Sequence, residues 1–163
     1  IEQINVSPVS RLTFTLSKLI PYWIIGLLVL TLAMVIAWVA YGLVPVGSIW
    51  IIYVVTLLFS FVMSGLGVSI ANCSSTMQQS MYVMFFFIII FQLMSGLMTP
   101  IDSMPQWAQY ITYVIPPRYF IEIMRSVYLK GSMFSELWQD FSMLAVFAVF
   151  VCLAAMITYK KQS

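Results

Sequence analysis

Four long apolar runs constrain the fold of this chain more than any other feature. They cover residues 20–40, 49–71, 81–99 and 137–159, and Asp140 is their one charged residue. A helix needs about 20 largely apolar residues to cross a hydrocarbon core about 30 Å thick, and each run meets that requirement. The runs therefore predict an all-α integral membrane protein whose four transmembrane helices form a single domain.

Composition supports the membrane assignment and excludes several kinds of protein. Hydrophobic residues make up 63% of the 163 residues and charged residues 7%, with a mean hydropathy of +1.03. A soluble domain of this composition would have a largely apolar surface. The net charge of +2 is too small for a nucleic-acid partner, and two cysteines without a histidine supply no zinc or redox site. We expect no cofactor and no metal.

The basic residues at the ends of the chain predict its orientation. Four lie at the two ends, namely Arg11, Lys18, Lys160 and Lys161. Three others lie between the last two runs, namely Arg118, Arg125 and Lys130. An even number of crossings places both ends on one side, and the positive-inside tendency puts that side in the cytoplasm. The chain starts at Ile1 without a signal peptide, so we expect it to be a fragment of a longer protein.

Residues 101–131, which precede the last run, predict two short helices rather than a span. Asp102 and Ser103 are favoured N-cap residues, Pro105 suits a first turn, and Pro116–Pro117 stops the helix that follows. That helix, over residues 105–115, reaches only about 16 Å.

The second helix begins at Pro117 and is expected to end at Gly131. Its charges, Arg118, Glu122 and Arg125, recur on one face, where the glutamate is placed to pair with both arginines. Two helices too short or too charged to span predict a re-entrant hairpin that dips into the outer leaflet.

Two roles are open for this hairpin. It is an outer gate formed by Pro116, Pro117, Arg118, Glu122 and Arg125, or it plugs the helices or lies at the interface as a passive element. The passive alternative has aromatic anchors, namely Trp107, Tyr110, Tyr113 and Tyr119.

Polar residues inside the apolar runs are few and fall on two faces. One face consists of Thr56, Ser60 and Ser64, next to the small residues Gly65 and Ser69. The other consists of Gln92, Ser95 and Thr99, which recur at helical spacing and lead into the hairpin. Close helix packing is the simpler use of the first face. The second faces either another helix or a translocation path.

The first 19 residues predict an amphipathic cytoplasmic helix. Ser7 and Pro8 are a helix-start signal, and apolar residues follow at helical spacing. An ordinary interfacial lead-in to the first span explains the part after Pro8. It leaves the polar residues Glu2, Gln3 and Asn5 unexplained.

Two segments carry a family resemblance. The stretches "EQINVSPVSR" and "SGLMTPIDSMPQWAQYITYVIPPRYF", in this order among the apolar runs, resemble the C-terminal half of an ABC type-2 transporter permease. The resemblance covers essentially the whole chain. It implies that this segment holds the last four spans of such a permease, in the cytoplasmic (inner) membrane.

The resemblance also implies partners. A coupling segment would contact an ATP-binding-cassette ATPase subunit through Glu2, Gln3, Asn5, Ser7, Pro8 and Arg11. The chain has no GxxxxGKS/T phosphate loop, so ATP is expected to be hydrolysed on that partner. A second permease subunit would complete an exporter of a hydrophobic or amphiphilic solute. The alternative is a membrane scaffold that does not transport.

Overall fold

The computed structural model describes the backbone of residues 11–160 and most of their side chains, those of residues 17–155, 157 and 158. The described residues form helices and contain no strand. The helices are α1 (Arg11–Tyr41), α2 (Ile49–Cys73), α3 (Met77–Met94), α4 (Gln106–Thr112), α5 (Pro116–Arg125) and α6 (Trp138–Lys160). A 3₁₀ turn, Ile101–Ser103, precedes α4, and a π-helical turn, Ser126–Lys130, continues α5.

Four helices are long and apolar enough to cross a membrane. Their candidate spans are Ser17–Tyr41, Ile49–Cys73, Met77–Met94 and Trp138–Ala155. The prediction of an all-helical membrane protein with four spans is therefore confirmed. The chain divides into two compact units, residues 1–43 and 44–163, so that α1 lies in the first and the other helices in the second.

The first unit contains one continuous helix. Residues 11–19, the later part of the predicted amphipathic segment, belong to α1 together with the span, and Pro21 lies inside that helix. The earlier part of the proposed coupling segment, residues 1–10, lies outside the described residues. α1 ends where Gly42 adopts a φ of 65° and its N–H donates to the carbonyl of Trp38, at 2.9 Å.

The third span is displaced from its prediction. The apolar run suggested residues 81–99, whereas α3 is Met77–Met94. Thr76 caps its start, because its hydroxyl accepts a hydrogen bond from the N–H of Gln79 at 3.2 Å. Gly96, with a φ of 83°, ends it. The local capping chemistry, rather than the length of the apolar run, sets both ends.

α2 and α6 form the most closely packed helix pair of the second unit. Val62 of α2 packs with Ala148 and Val151 of α6 in a buried apolar cluster. The helices approach most tightly at Gly65, where an added Cβ would lie 2.5 Å from Cγ1 of Val151. The predicted use of Gly65 as a small residue for close helix packing is therefore confirmed.

Candidate functional site

The helix is interrupted between α4 and α5 because of two prolines. Ile115 has φ −101° and ψ 110°, the extended backbone that a following proline favours. Pro116 then occupies the first position of α5, where its missing N–H costs no hydrogen bond. The predicted break at the proline pair is confirmed. The helix before it is shorter than residues 105–115, since α4 ends at Thr112 and residues 113–115 form turns.

The start of α4 corrects another prediction. Asp102 and Ser103 were expected to be N-caps, but they lie in the 3₁₀ turn, and Pro105 is the N-cap residue of α4. The hydroxyl of Ser103 donates to the carbonyl of Pro100 at 2.7 Å. That local hydrogen bond keeps the side chain on its own turn.

α5 has a buried apolar face that continues into the π-helical turn. The buried residues are Pro116, Pro117, Tyr119, Ile123 and Val127. The turn ends at Gly131, which has a φ of 68°, so the predicted end of this helix is confirmed.

Three neighbouring helices hold α5. The ring of Phe120 stacks on Phe59 of α2, with centroids 4.3 Å apart and planes inclined by 15°. The ring of Tyr119 lies 5.9 Å from that of Phe147 on α6. On the third side, Nη2 of Arg125 donates to the carbonyl of Gly96 at 3.2 Å, just beyond the end of α3. A cation at this position suits the carbonyl-rich end of a helix.

Arg118 and Tyr119 bridge the turn that separates α4 from α5. Nη1 of Arg118 donates to the hydroxyl of Thr112. Its guanidinium lies over the ring of Tyr113, 4.1 Å from the centroid, in a cation–π contact. The hydroxyl of Tyr119 donates to the carbonyl of Tyr113 at 2.8 Å. Burial raises the pKa of Tyr119, so the hydroxyl remains a protonated donor at neutral pH.

The charged stripe of α5 is organised differently from its prediction. Among the described residues, no ion pair joins Glu122 to Arg118 or Arg125, because both guanidinium groups have other partners. Asp140, at the start of α6, interacts electrostatically with Arg118 and Glu122. The Nε atom of Arg118 is buried and has no hydrogen-bond partner within the described part of the chain. Arg118 attracts Asp140 and Glu122 repels it, so the charge cluster of these three residues includes side chains of both α5 and α6.

The two polar faces of the spans differ in their geometry. On α2, buried Thr56 donates to the carbonyl of Ile52 at 2.8 Å and Ser64 to that of Phe61 at 3.0 Å. These bonds within the helix are consistent with a packing role; Ser60 is half-buried on the same helix.

The second face is not a single helical face. α3 ends at Met94, so Gln92 is exposed on the helix, Ser95 is buried just beyond it, and Thr99 is exposed in the following loop. The prediction that these three residues line one face is wrong, because Gly96 turns the backbone away first.

The predicted coupling residues Glu2, Gln3, Asn5, Ser7 and Pro8 lie outside the described residues. Arg11 begins α1, and its side chain is also outside them. Sequence reasoning missed the contacts of α5 with Phe59 and with Gly47. Phe59 is one of 12 phenylalanines, so its type alone did not single it out.

Comparison of this sequence with known proteins gives matches to transporter permeases. A family model described as "ABC-2 family transporter protein" matches residues 1–157. Three relatives come from Escherichia coli strain K12. The "probable multidrug ABC transporter permease YbhR" is 29% identical over 86% of this chain and 38% of its own length. YbhS, which has the same description, is 30% identical over 80% of this chain and 35% of its own length. The "inner membrane transport permease YhhJ" is 26% identical over 94% of this chain and 42% of its own length.

The chain thus spans less than half the length of these curated relatives. No solved structure matches it.

Proposed function

Because the chain belongs to the ABC-2 transporter family, we propose that it is part of a permease that exports hydrophobic or amphiphilic solutes, driven by a separate ATPase subunit. The match of residues 1–157 to the family model carries this proposal. The descriptions of two relatives as "probable multidrug ABC transporter permease" favour export of such solutes. Transport rather than a passive scaffold is the function that we assign.

We propose that α5 is the outer gate. α5 has 10 residues and is therefore about 15 Å long, too short to cross a membrane. It nevertheless packs among α2, α3 and α6, and its partly buried Arg118 belongs to a charge cluster with Asp140. A short helix held in this way is suited to closing the outer end of a path between the spans. Pro116, Pro117, Arg118, Glu122 and Arg125 are its proposed functional residues.

The complete transporter is proposed to contain two permease subunits and two ATPase subunits in the inner membrane. The span of α3 contains no buried residue, so this helix has apolar surface for lipid or for a second permease subunit. The coupling residues Glu2, Gln3, Asn5, Ser7, Pro8 and Arg11 are proposed to contact the ATPase.

Purification from detergent and transport measurements test this function. The full-length protein should copurify with an ATP-binding-cassette ATPase, and cells that contain both should export ethidium, a lipophilic cation, in an ATP-dependent manner. A scaffold would do neither. Absence of both the ATPase and the efflux would overturn the proposed function.

Charge reversal in the coupling segment should uncouple the subunits. We expect Glu2→Arg with Arg11→Glu to lower the solute-stimulated ATPase rate while membrane insertion is kept, because surface charge changes and no span is touched. The loss should be partial, since such a contact is spread over several residues. Glu2→Asp with Arg11→Lys keeps the charges and is the matched control. An unchanged ATPase rate in the reversed variant would remove these residues from the interface.

Cysteine labelling tests the orientation. In a background with Cys73→Ser and Cys152→Ala, we expect Ser103→Cys to react with an impermeant maleimide on intact cells, since Ser103 is exposed on the turn before α4. Gln162→Cys should react only after permeabilisation, because an even number of spans and basic ends favour cytoplasmic termini. The opposite pattern would invert the topology.

A further inference from the structure

The loop that leads into α2 is bonded to the end of α5. The N–H of Val46 donates to the carbonyl of Tyr128 at 3.2 Å, and the N–H of Gly47 donates to that of Val127 at 3.0 Å. Both acceptors lie in the π-helical turn Ser126–Lys130. Carbonyls at a helix C-terminus lack partners within the helix, so the loop supplies two of the donors that this end requires.

Glycines on both sides bring the two backbones into contact. A Cβ added to Gly47 would lie 2.8 Å from the carbonyl oxygen of Val127, and one added to Gly131 would lie 2.9 Å from Cγ1 of Val46. Gly131 also has a φ of 68°, which other residues rarely adopt. By contrast, Gly67 in α2 has nothing within 4 Å of the corresponding position. A side chain is therefore excluded at Gly47 and Gly131, whereas position 67 has room for one.

α2 thus holds α5 at two separated points. Phe59 stacks on Phe120 in the middle of α5, and the loop before α2 is bonded to the turn after α5. Swinging α5 alone would break both contacts and would remove the loop donors from the carbonyls of Tyr128 and of the fully buried Val127.

We propose that Gly47 and Gly131 form a permanent backbone tie that makes α5 move with α2 as one rigid body. They are positioning residues: they touch no solute and act through α5. This inference rests on the proposed function in one respect, that α5 is the gate. The path would then open by movement of the α2–α5 unit, and not by a hinge motion of the short helix against α2.

A disulfide across the tie tests this directly. An added Cβ at Gly131 lies 3.4 Å from Cβ of Val46, close to the separation of about 3.8 Å found in disulfides. In the full-length protein without Cys73 and Cys152, Val46→Cys with Gly131→Cys should cross-link on oxidation. Ethidium efflux should equal that of the single variants and should not change with dithiothreitol. Efflux blocked by oxidation and restored by reduction would mean that the contact opens during transport, and would overturn the proposal. Folded protein that fails to cross-link would overturn it as well.

A second pair of variants does not depend on a cysteine at Gly131. Val127 is fully buried, so Val127→Cys should react slowly with a membrane-permeant maleimide. Adding Gly47→Ala should raise that labelling rate by loosening the turn, whereas adding Gly67→Ala should not. Equal rates in the two backgrounds would contradict the tie. If the unmodified protein neither copurifies with an ATPase nor exports ethidium, the proposed function fails, while cross-linking and labelling still decide whether the tie exists.

Discussion

Replacement of Gly65 by alanine should destabilise the protein, because α2 and α6 leave no space for a side chain there. The added methyl group would lie 2.5 Å from Cγ1 of Val151, well inside van der Waals contact. Overpacking of a well-packed interior costs about 1–3 kcal/mol. We expect a lower apparent melting temperature in detergent for Gly65→Ala, and no comparable change for Gly67→Ala, whose position is open.

Val151, which contacts position 65, provides a second test of this close packing. Val151→Ala alone removes buried methyl groups and should also be destabilising. In the double variant the new methyl group at position 65 fills part of that space, so the two effects should offset each other. The double variant should therefore be more stable than Gly65→Ala. If the effects were simply additive, the helices would not meet at this point.

Sequence patterns predicted the spans and the break before α5 because each rests on a strong local constraint. Long uncharged runs have few alternatives to crossing a membrane, and Pro116–Pro117 excludes a continuous helix. Gly131 ended its helix as expected for the same kind of reason, since a left-handed residue is usually glycine.

A local turn and a tertiary contact decided two features that the sequence did not predict. Hydropathy gave no sign that Gly96 would turn the chain before Thr99, because the run continues past the end of α3. Spacing along one helix suggested that Arg125 would pair with Glu122. The carbonyl of Gly96, 29 residues away in sequence, binds Arg125 instead. Same-helix spacing identifies groups that can meet, but not the competing partners that folding brings closer.

The largest functional effect is expected from Pro116→Ala with Pro117→Ala. The two prolines keep Ile115 extended and begin α5, so their removal allows α4 and α5 to join. A single helix over residues 106–130 would be about 37 Å long and could not fold back. Within it, Thr112 and Arg118 would lie about 9 Å apart along the axis, and their hydrogen bond would be broken.

The interactions that hold this turn together distinguish a gate from a passive plug. In the double variant, Arg118 would no longer reach Thr112 or the ring of Tyr113, and Tyr119 would no longer reach its backbone acceptor. Buried polar groups left without partners cost about 1–3 kcal/mol each, which the four spans of a gated transporter can tolerate. For a gate, we expect the double variant to insert, to copurify with its ATPase and to lose ethidium efflux. Pro105→Ala, which changes an exposed proline outside this turn, is the matched control and should keep efflux. Normal efflux in the double variant would exclude the gate, whereas disappearance of the protein from the membrane would favour the plug.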